Sequence, residues 1–366
     1  MTFNSCSSKI QLGHNLENVL EWTSFGKIPS RSFYVDENLG NDFSKLWEYS
    51  TSAGTSLTSV TVKDSIIFVG NLRGRVHAIE LNSGNKIGEL DVKAPIYSSI
   101  QIRENEIVIA TSAKISKSRN IIWYDFVNGK ENRNYELHSS VESEIVSIGD
   151  YVFLASTDGS VILLNRDKSI IWKKNFPTKF YSKPSSNGNV ILIGGIDGSI
   201  YCLEFNSGKL QWKFDSKYSI FSGTTIDGEF AYFGNENGDF YKIDLRTGQK
   251  IWKLECRSSI SALPSIDFKH TFIGTRKGDI FAIDKNDGTV HWQISAGGLV
   301  NNSILTFKNK LIVPVLNKNV IVLDKQDGSI LKKIEFPGRI KLSPVYIDNK
   351  LIFGCDDDLI IAYAVK

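Results

Sequence analysis

The side chains best equipped for chemistry are four cysteines, five histidines and one run of three aspartates. Cys6, Cys202, Cys256 and Cys355 are never adjacent and never spaced C-x-x-C, so neither a zinc site nor a dithiol redox motif is indicated. The last three fall in or beside apolar stretches, where a free thiol serves as a small hydrophobe. His14, His77, His138, His270 and His291 are scattered without metal-ligand spacing. No serine stands in a nucleophile-elbow motif, and Gly194-Gly195 has no phosphate-loop continuation. Asp356-Asp357-Asp358 offers oxygen ligands. It stands, however, where other segments carry Asp158-Gly159 and Asp197-Gly198, so a turn is expected. No catalytic, cofactor-binding or metal-binding residue is therefore expected.

The elements around these residues repeat. Trp172, Trp212, Trp252 and Trp292 are each spaced by forty residues. Before each of the last three stands a similar stretch: Cys202–Trp212, Lys242–Trp252 and Ala282–Trp292. A fixed period in this range signals a repeat architecture. The acid and the glycine ahead of the Trp supply a tight turn, since Asp bonds locally to the backbone and Gly accepts positive φ. The indole on the following strand is too large to be covered within one unit, so the next unit must stack over it. Four strands per unit of about forty residues is the layout of a β-propeller blade.

Seven units carry Gly84, Gly129, Lys168, Gly208, Gly248, Gly288 and Gly328 at the turn, so the turn at Lys168 is expected to differ. Gly88, Arg133 and Lys332 replace the Trp in three units. The second unit is the most irregular, with Trp123 in the Ala position and a longer Lys- and Ser-rich hairpin tip over Ala113–Arg119. After Pro344 the chain supplies three strands and no fourth. The stretch Lys45–Tyr49, with Trp47 in the docking position and no hairpin before it, is the expected missing partner. The expectation is an all-β, eight-bladed β-propeller of four-stranded antiparallel blades, closed by an N-terminal strand that completes the last blade. The count becomes seven if the second unit is not a full blade. Trp47, Trp172, Trp212, Trp252 and Trp292 are read as structural docking residues, and the domain division is 1–44 and 45–366.

The pattern Ala-x-Asp-x-x-x-Gly-x-x-x-Trp resembles the tryptophan-docking repeat of PQQ-like, quinoprotein-type β-propellers. Residues 1–44 form a tether and a lead-in: Glu21–Gly26 and Arg31–Tyr34 are similar to the W-x-x-F-G…R-x-x-Y lead-in of periplasmic proteins with this repeat. Trp22 and Phe25 are read as plugs that dock apolar surface. Quinoprotein dehydrogenases have adjacent cysteines over the cofactor and a calcium-binding Glu/Asn set. Those adjacent cysteines are missing here, so no quinone and no enzyme activity are expected.

In such a ring the innermost strands line the axis. Their equivalent positions read Leu57, Tyr97, Glu142, Tyr181, Phe221, Ser261, Asn301 and Lys341, and two residues on stand Ser59, Ser99, Glu144, Lys183, Gly223, Leu263, Ser303 and Ser343. Tyr97, Glu142, Tyr181, Lys183 and Lys341 form a candidate ligand site at the channel mouth.

Forty-three basic against forty acidic residues give a net charge of +3, without a long basic run, so nucleic acid is not an expected partner. No apolar stretch is long enough for a membrane-spanning helix. Cys6-Ser7-Ser8 is similar to the start of a mature bacterial lipoprotein, which makes Cys6 a candidate for lipidation and for a lipid anchor. Ser5 fits the small residue expected before it, whereas Phe3-Asn4 departs from the lipobox and no hydrophobic leader precedes it. The repeats, blade number and Cys6 together resemble BamB-like outer-membrane assembly lipoproteins. That resemblance implies a non-enzymatic scaffold, periplasmic or anchored to the outer membrane, that binds an envelope protein through loops on one face. Without an upstream signal the location would be cytoplasmic. The alternatives are a propeller that senses a small molecule or glycan and, less favoured, a quinoprotein dehydrogenase.

Overall fold

The computed structural model describes residues 9–16, 21–112, 120–137, 139–165 and 167–366. Cys6, the Ala113–Arg119 hairpin tip and His138 lie outside them. Every regular element among the described residues is a β-strand, and the strands form eight antiparallel sheets in a ring. Blades 1 to 7 cover residues 61–91, 101–135, 146–175, 185–215, 225–255, 265–295 and 305–335. The second blade is complete, with strands Gln101–Arg103, Glu106–Ala110, Ile121–Asp125 and Lys130–Tyr135. Blade 8 consists of Val345–Ile347, Lys350–Cys355 and Leu359–Val365, joined on its outer edge by Phe43–Ser50. Trp47 is paired with Ala362 in that closing sheet. The backbone N–H groups of Asn41 and Asp42 both donate to the carbonyl of Lys366, at 2.8 and 3.0 Å.

Burial follows from the stacking. Inner and middle strands have a sheet on both sides, so strands such as Ser160–Leu164 are buried along their whole length and read as continuous apolar runs. Outer strands face solvent on most positions. In Ile170–Asn175 and Val290–Ser295 the Trp is the one buried side chain.

Each of these indoles lies on the turn glycine of the following blade. The Trp172 ring lies against Gly208, where an added Cβ would come within 2.6 Å of it, and Trp212, Trp252 and Trp292 lie likewise on Gly248, Gly288 and Gly328. Gly208 also has φ +65°, so the turn and the close approach both select glycine. Each indole N–H donates to a backbone carbonyl in the same hairpin: Trp172 to Phe205 at 2.8 Å and Trp252 to Lys285 at 3.2 Å. Trp47 repeats the arrangement across the closure, on Gly84 of blade 1 and with its N–H to Leu81 O at 2.9 Å.

Where the Trp is missing, three other solutions appear. In blade 1 the vacated place over Gly88 is filled by the N-terminal chain: Ile10 is fully buried there, and Gln11 lies on Gly129 of blade 2. Tyr124 donates to Ile10 O at 2.7 Å, and Leu12 N–H to Phe126 O at 2.8 Å. In blade 2, Arg133 Nη1 donates to Asp167 O of the next blade at 2.5 Å. The turn it meets is the one with Lys168 in place of glycine. Lys168 takes φ +66° there, and its N–H bonds to Asn165 O, three residues back, whereas Gly208 N–H bonds four residues back to Glu204 O. In blade 7, Lys332 Nζ stands 5.1 Å over the Phe43 ring of the closing strand.

Cys202, Cys256 and Cys355 are buried and free, and burial pushes their thiols up to about 12, 12 and 11. Asp356, Asp357 and Asp358 form the turn between two strands of blade 8, the last two with φ +66° and +62°.

Trp252→Ala should destabilise the protein by about 3–5 kcal/mol in equilibrium denaturation, as for other buried aromatic truncations. A loss of about 0.5 kcal/mol, the scale of a surface change, would show that this indole does not hold blades 5 and 6 together.

Candidate functional site

The site that the fold builds lies on the ring axis, and residues 21–37 form one wall of it. Glu21–Trp22 adds to blade 1 as an extra edge strand, with Trp22 opposite Val62. The chain then runs across the inner strands around the axis. Its carbonyls accept from backbone N–H groups of blades 2, 4, 5, 6 and 7: Thr23 from Ile102, Pro29 from Ser186, Ser30 from Ile226, Ser32 from Ile266 and Phe33 from Thr306. Each donor occupies the same place in its blade, since each pairs with the residue five positions on. Trp22, Phe25 and Phe33 are fully buried beneath this crossing, and the Phe25 and Phe33 rings meet edge to face at 5.0 Å.

Arg31 is the centre of the crossing and is also fully buried. Its guanidinium donates to Pro184 O at 2.6 Å, Phe25 O at 2.7 Å and Ile145 O at 3.1 Å, tying blades 3 and 4 to the lead-in. Three carbonyls solvate the charge in place of water. Burial still pulls its pKa down to about 10, while Glu144 works in the opposite direction, so the group remains a cation at neutral pH. Glu144 is buried on the blade 3 inner strand approach and accepts from Ser99 N–H at 2.9 Å and Ser99 Oγ at 3.0 Å. Burial raises its pKa, and Arg31, the Ser99 bonds and Lys183 oppose that rise. Lys183 Nζ lies 5.5 Å from the Phe25 ring centroid, and burial lowers its pKa against the attraction of Glu144. Two cations thus flank one aromatic ring, and one buried carboxylate attracts both.

The five candidate mouth residues are distributed along this axis. Tyr97, Glu142 and Tyr181 are half-buried on the connections that enter the inner strands of blades 2, 3 and 4, with the Tyr181 ring 6.2 Å from Phe221. Lys183 turns inward to Phe25 and Glu144. Lys341 turns to Asp356, 3.8 Å away, which also pairs with Arg339 at 2.5 Å. Leu57, Tyr218 and Phe221, also on connections between blades, leave large apolar side chains exposed. Arg31 and Ile10 carry no signal in the repeat, because both belong to the segment that precedes it. The replacement of Trp by Gly88 is the one sequence feature that demanded a filler such as Ile10.

A quinone with its calcium does not fit this axis. Its centre is occupied by the Arg31 guanidinium, Phe25 and Lys183, and the described cysteines lie apart in the blades. Among the described residues no three side chains of His, Cys, Asp or Glu gather to hold a cation.

The sequence profile of the family described as outer membrane protein assembly factor BamB matches residues 35–254 and 236–332. No curated protein sequence matches the chain. Among solved structures, BamB from Moraxella catarrhalis superposes with a TM-score of 0.75 at 18% identity, covering 88% of this chain and 100% of that one. The quinohemoprotein alcohol dehydrogenase from Comamonas testosteroni gives 0.79 at 11% identity, covering 96% and 81%. A europium-containing methanol dehydrogenase gives 0.76 at 12% identity, covering 93% and 89%. At these identities the structural likenesses speak for the propeller fold alone.

Removing one member of the axial cluster should leave a buried charge without its counterpart. Arg31→Met is expected to cost about 3–5 kcal/mol in denaturant unfolding. Adding Glu144→Gln should return part of that loss, a non-additivity of about 0.5–3 kcal/mol. Strictly additive losses would show that the two side chains are not coupled.

Proposed function

Because the chain belongs to the family of outer membrane protein assembly factor BamB, we propose that it is a non-enzymatic propeller scaffold of the bacterial cell envelope. It faces the periplasm and holds a partner protein, an outer-membrane protein or its assembly machinery, through loops on one side of the ring. The observation that carries this reading is the filled axis. In a propeller enzyme the axial cavity receives cofactor and substrate. Here Arg31, Phe25 and Glu144, all buried, take up that space as packing and charge pairing of the chain itself. Recognition of a large partner then falls to the loop surface.

The mouth away from the lead-in is the side we assign to the partner. Leu57 and Phe221 are each 38% exposed and Tyr218 is 48% exposed, with half-buried Tyr97 and Tyr181 beside them. Exposed aromatic and aliphatic side chains at the centre of a surface, with charged residues such as Glu142 and Lys341 around them, match the anatomy of a protein interface. Lipidation of Cys6 would tether this scaffold to a membrane and hold the mouth near its partner.

The protein should co-purify with an outer-membrane β-barrel protein from detergent-solubilised bacterial envelopes. Leu57→Asp together with Phe221→Asp should abolish that capture without moving the unfolding midpoint. Capture that survives both changes would remove the mouth as the docking side. A saturable small-molecule or glycan ligand, lost on Tyr181→Ala, would replace the scaffold reading with that of a ligand-binding propeller.

A further inference from the structure

The main chain of the lead-in bonds to the inner strands of blades 1, 2, 4, 5, 6 and 7 and, among the described residues, makes no such bond to the inner strand of blade 3. Between Thr23 and Pro29 it folds into turns, closed by Lys27 N–H to Ser24 O at 3.1 Å, and stands away from the strand Val146–Ile148. A cavity of about 910 Å³ opens in the gap, lined by the lead-in and by blades 2 and 3. We propose that this cavity is a binding site for an extended peptide segment of a partner protein, which pairs with blade 3 at Ser147.

The bonding pattern identifies the ligand class. Ser147 pairs with Val152 as Ser186 pairs with Ile191 and Thr306 with Leu311, so its N–H points to the axis as theirs do. Ser186 and Thr306 each receive a peptide carbonyl from the lead-in, and Thr306 O in turn accepts from Val35 N–H at 2.9 Å. Among the described residues the Ser147 backbone N–H receives no such carbonyl, and its side-chain Oγ is buried without a partner. Gln101, fully buried in the opposite wall, has its Oε1 unpartnered as well. The gap therefore presents donors on one wall and an acceptor on the other. A peptide backbone, with its own carbonyl and N–H groups, satisfies both, as it does in the neighbouring blades. Charge argues against a phosphate or another anion: the walls carry five carboxylates against three basic side chains. The volume is that of an ordinary ligand pocket, ample for a short extended segment.

The site does not depend on the scaffold reading, since it is on the other side of the ring from Leu57 and Phe221. A phage-displayed library of random linear peptides, selected on the purified full-length protein, tests it. Selected peptides should bind wild type saturably. Ser147→Pro should weaken them about tenfold or more; it deletes the N–H and the hydroxyl at a position where no protein bond is lost. Gln101→Leu should weaken them too, and it decides alone if the proline variant loses its cooperative unfolding. The mouth variants Leu57→Asp and Phe221→Asp should leave peptide binding intact. The proposal fails if no peptide is enriched above background, or if the enriched peptides bind the folded Ser147 and Gln101 variants as tightly as wild type.

Discussion

The structure depends on one pairing, the lateral hydrogen bonding of Phe43–Ser50 to Leu359–Val365. Eight blades can bury one another's faces only if the first meets the last. A strand from the beginning of the chain supplies the outer edge of the final sheet, and its Trp47 docks on blade 1 as the other indoles dock on their neighbours. Closure therefore does two things at once: it removes two exposed sheet edges and brings the last interface into register. Tyr49 on the same strand adds a hydrogen bond to His77 of blade 1 at 2.9 Å. Burial holds the pKa of His77 near 4, so that ring is neutral at physiological pH and needs no counter-ion.

Closure also fixes the course of everything upstream. If residues 43–50 are on the outside of blade 8, the chain before them must reach that edge from elsewhere. It does so by running over the inner strands, with one carbonyl as a handhold on each of blades 2, 4, 5, 6 and 7. Arg31 anchors this path in the axis through three backbone carbonyls, and Glu144 and Lys183 complete the charge arrangement around it. Farther upstream, Ile10 fills the hole that Gly88 leaves between blades 1 and 2. The lead-in is thus part of the ring's packing. Its departure from the inner strand of blade 3 leaves polar groups there, Ser147 Oγ among them, without a partner among the described residues.

The repeat was legible because docking imposes a covalent period. An indole at Trp172, Trp212, Trp252 and Trp292 and a glycine in the next turn are fixed by contact distance, so both recur every forty residues. The ring closure was legible for the same reason: Trp47 had a docking residue's character without a hairpin of its own. The axis was not legible. Tyr97, Glu142, Tyr181, Lys183 and Lys341 could be placed on inner strands, but their directions depend on what enters the channel. Glu144 draws Arg31 and Lys183 into one cluster, while Asp356 draws Lys341 away. Nor could a period show the gap at Ser147, which exists only because a non-repeating segment bends past one blade.

Native-state hydrogen exchange across the closing sheet measures the central claim directly. The amides that bond Phe43–Ser50 to Leu359–Val365 should exchange only with global unfolding, as do those in the middle strands of the blades. Exchange of Phe43–Ser50 by a local opening of much lower free energy, with the rest of the ring still protected, would show that the ring does not rely on its N-terminal strand.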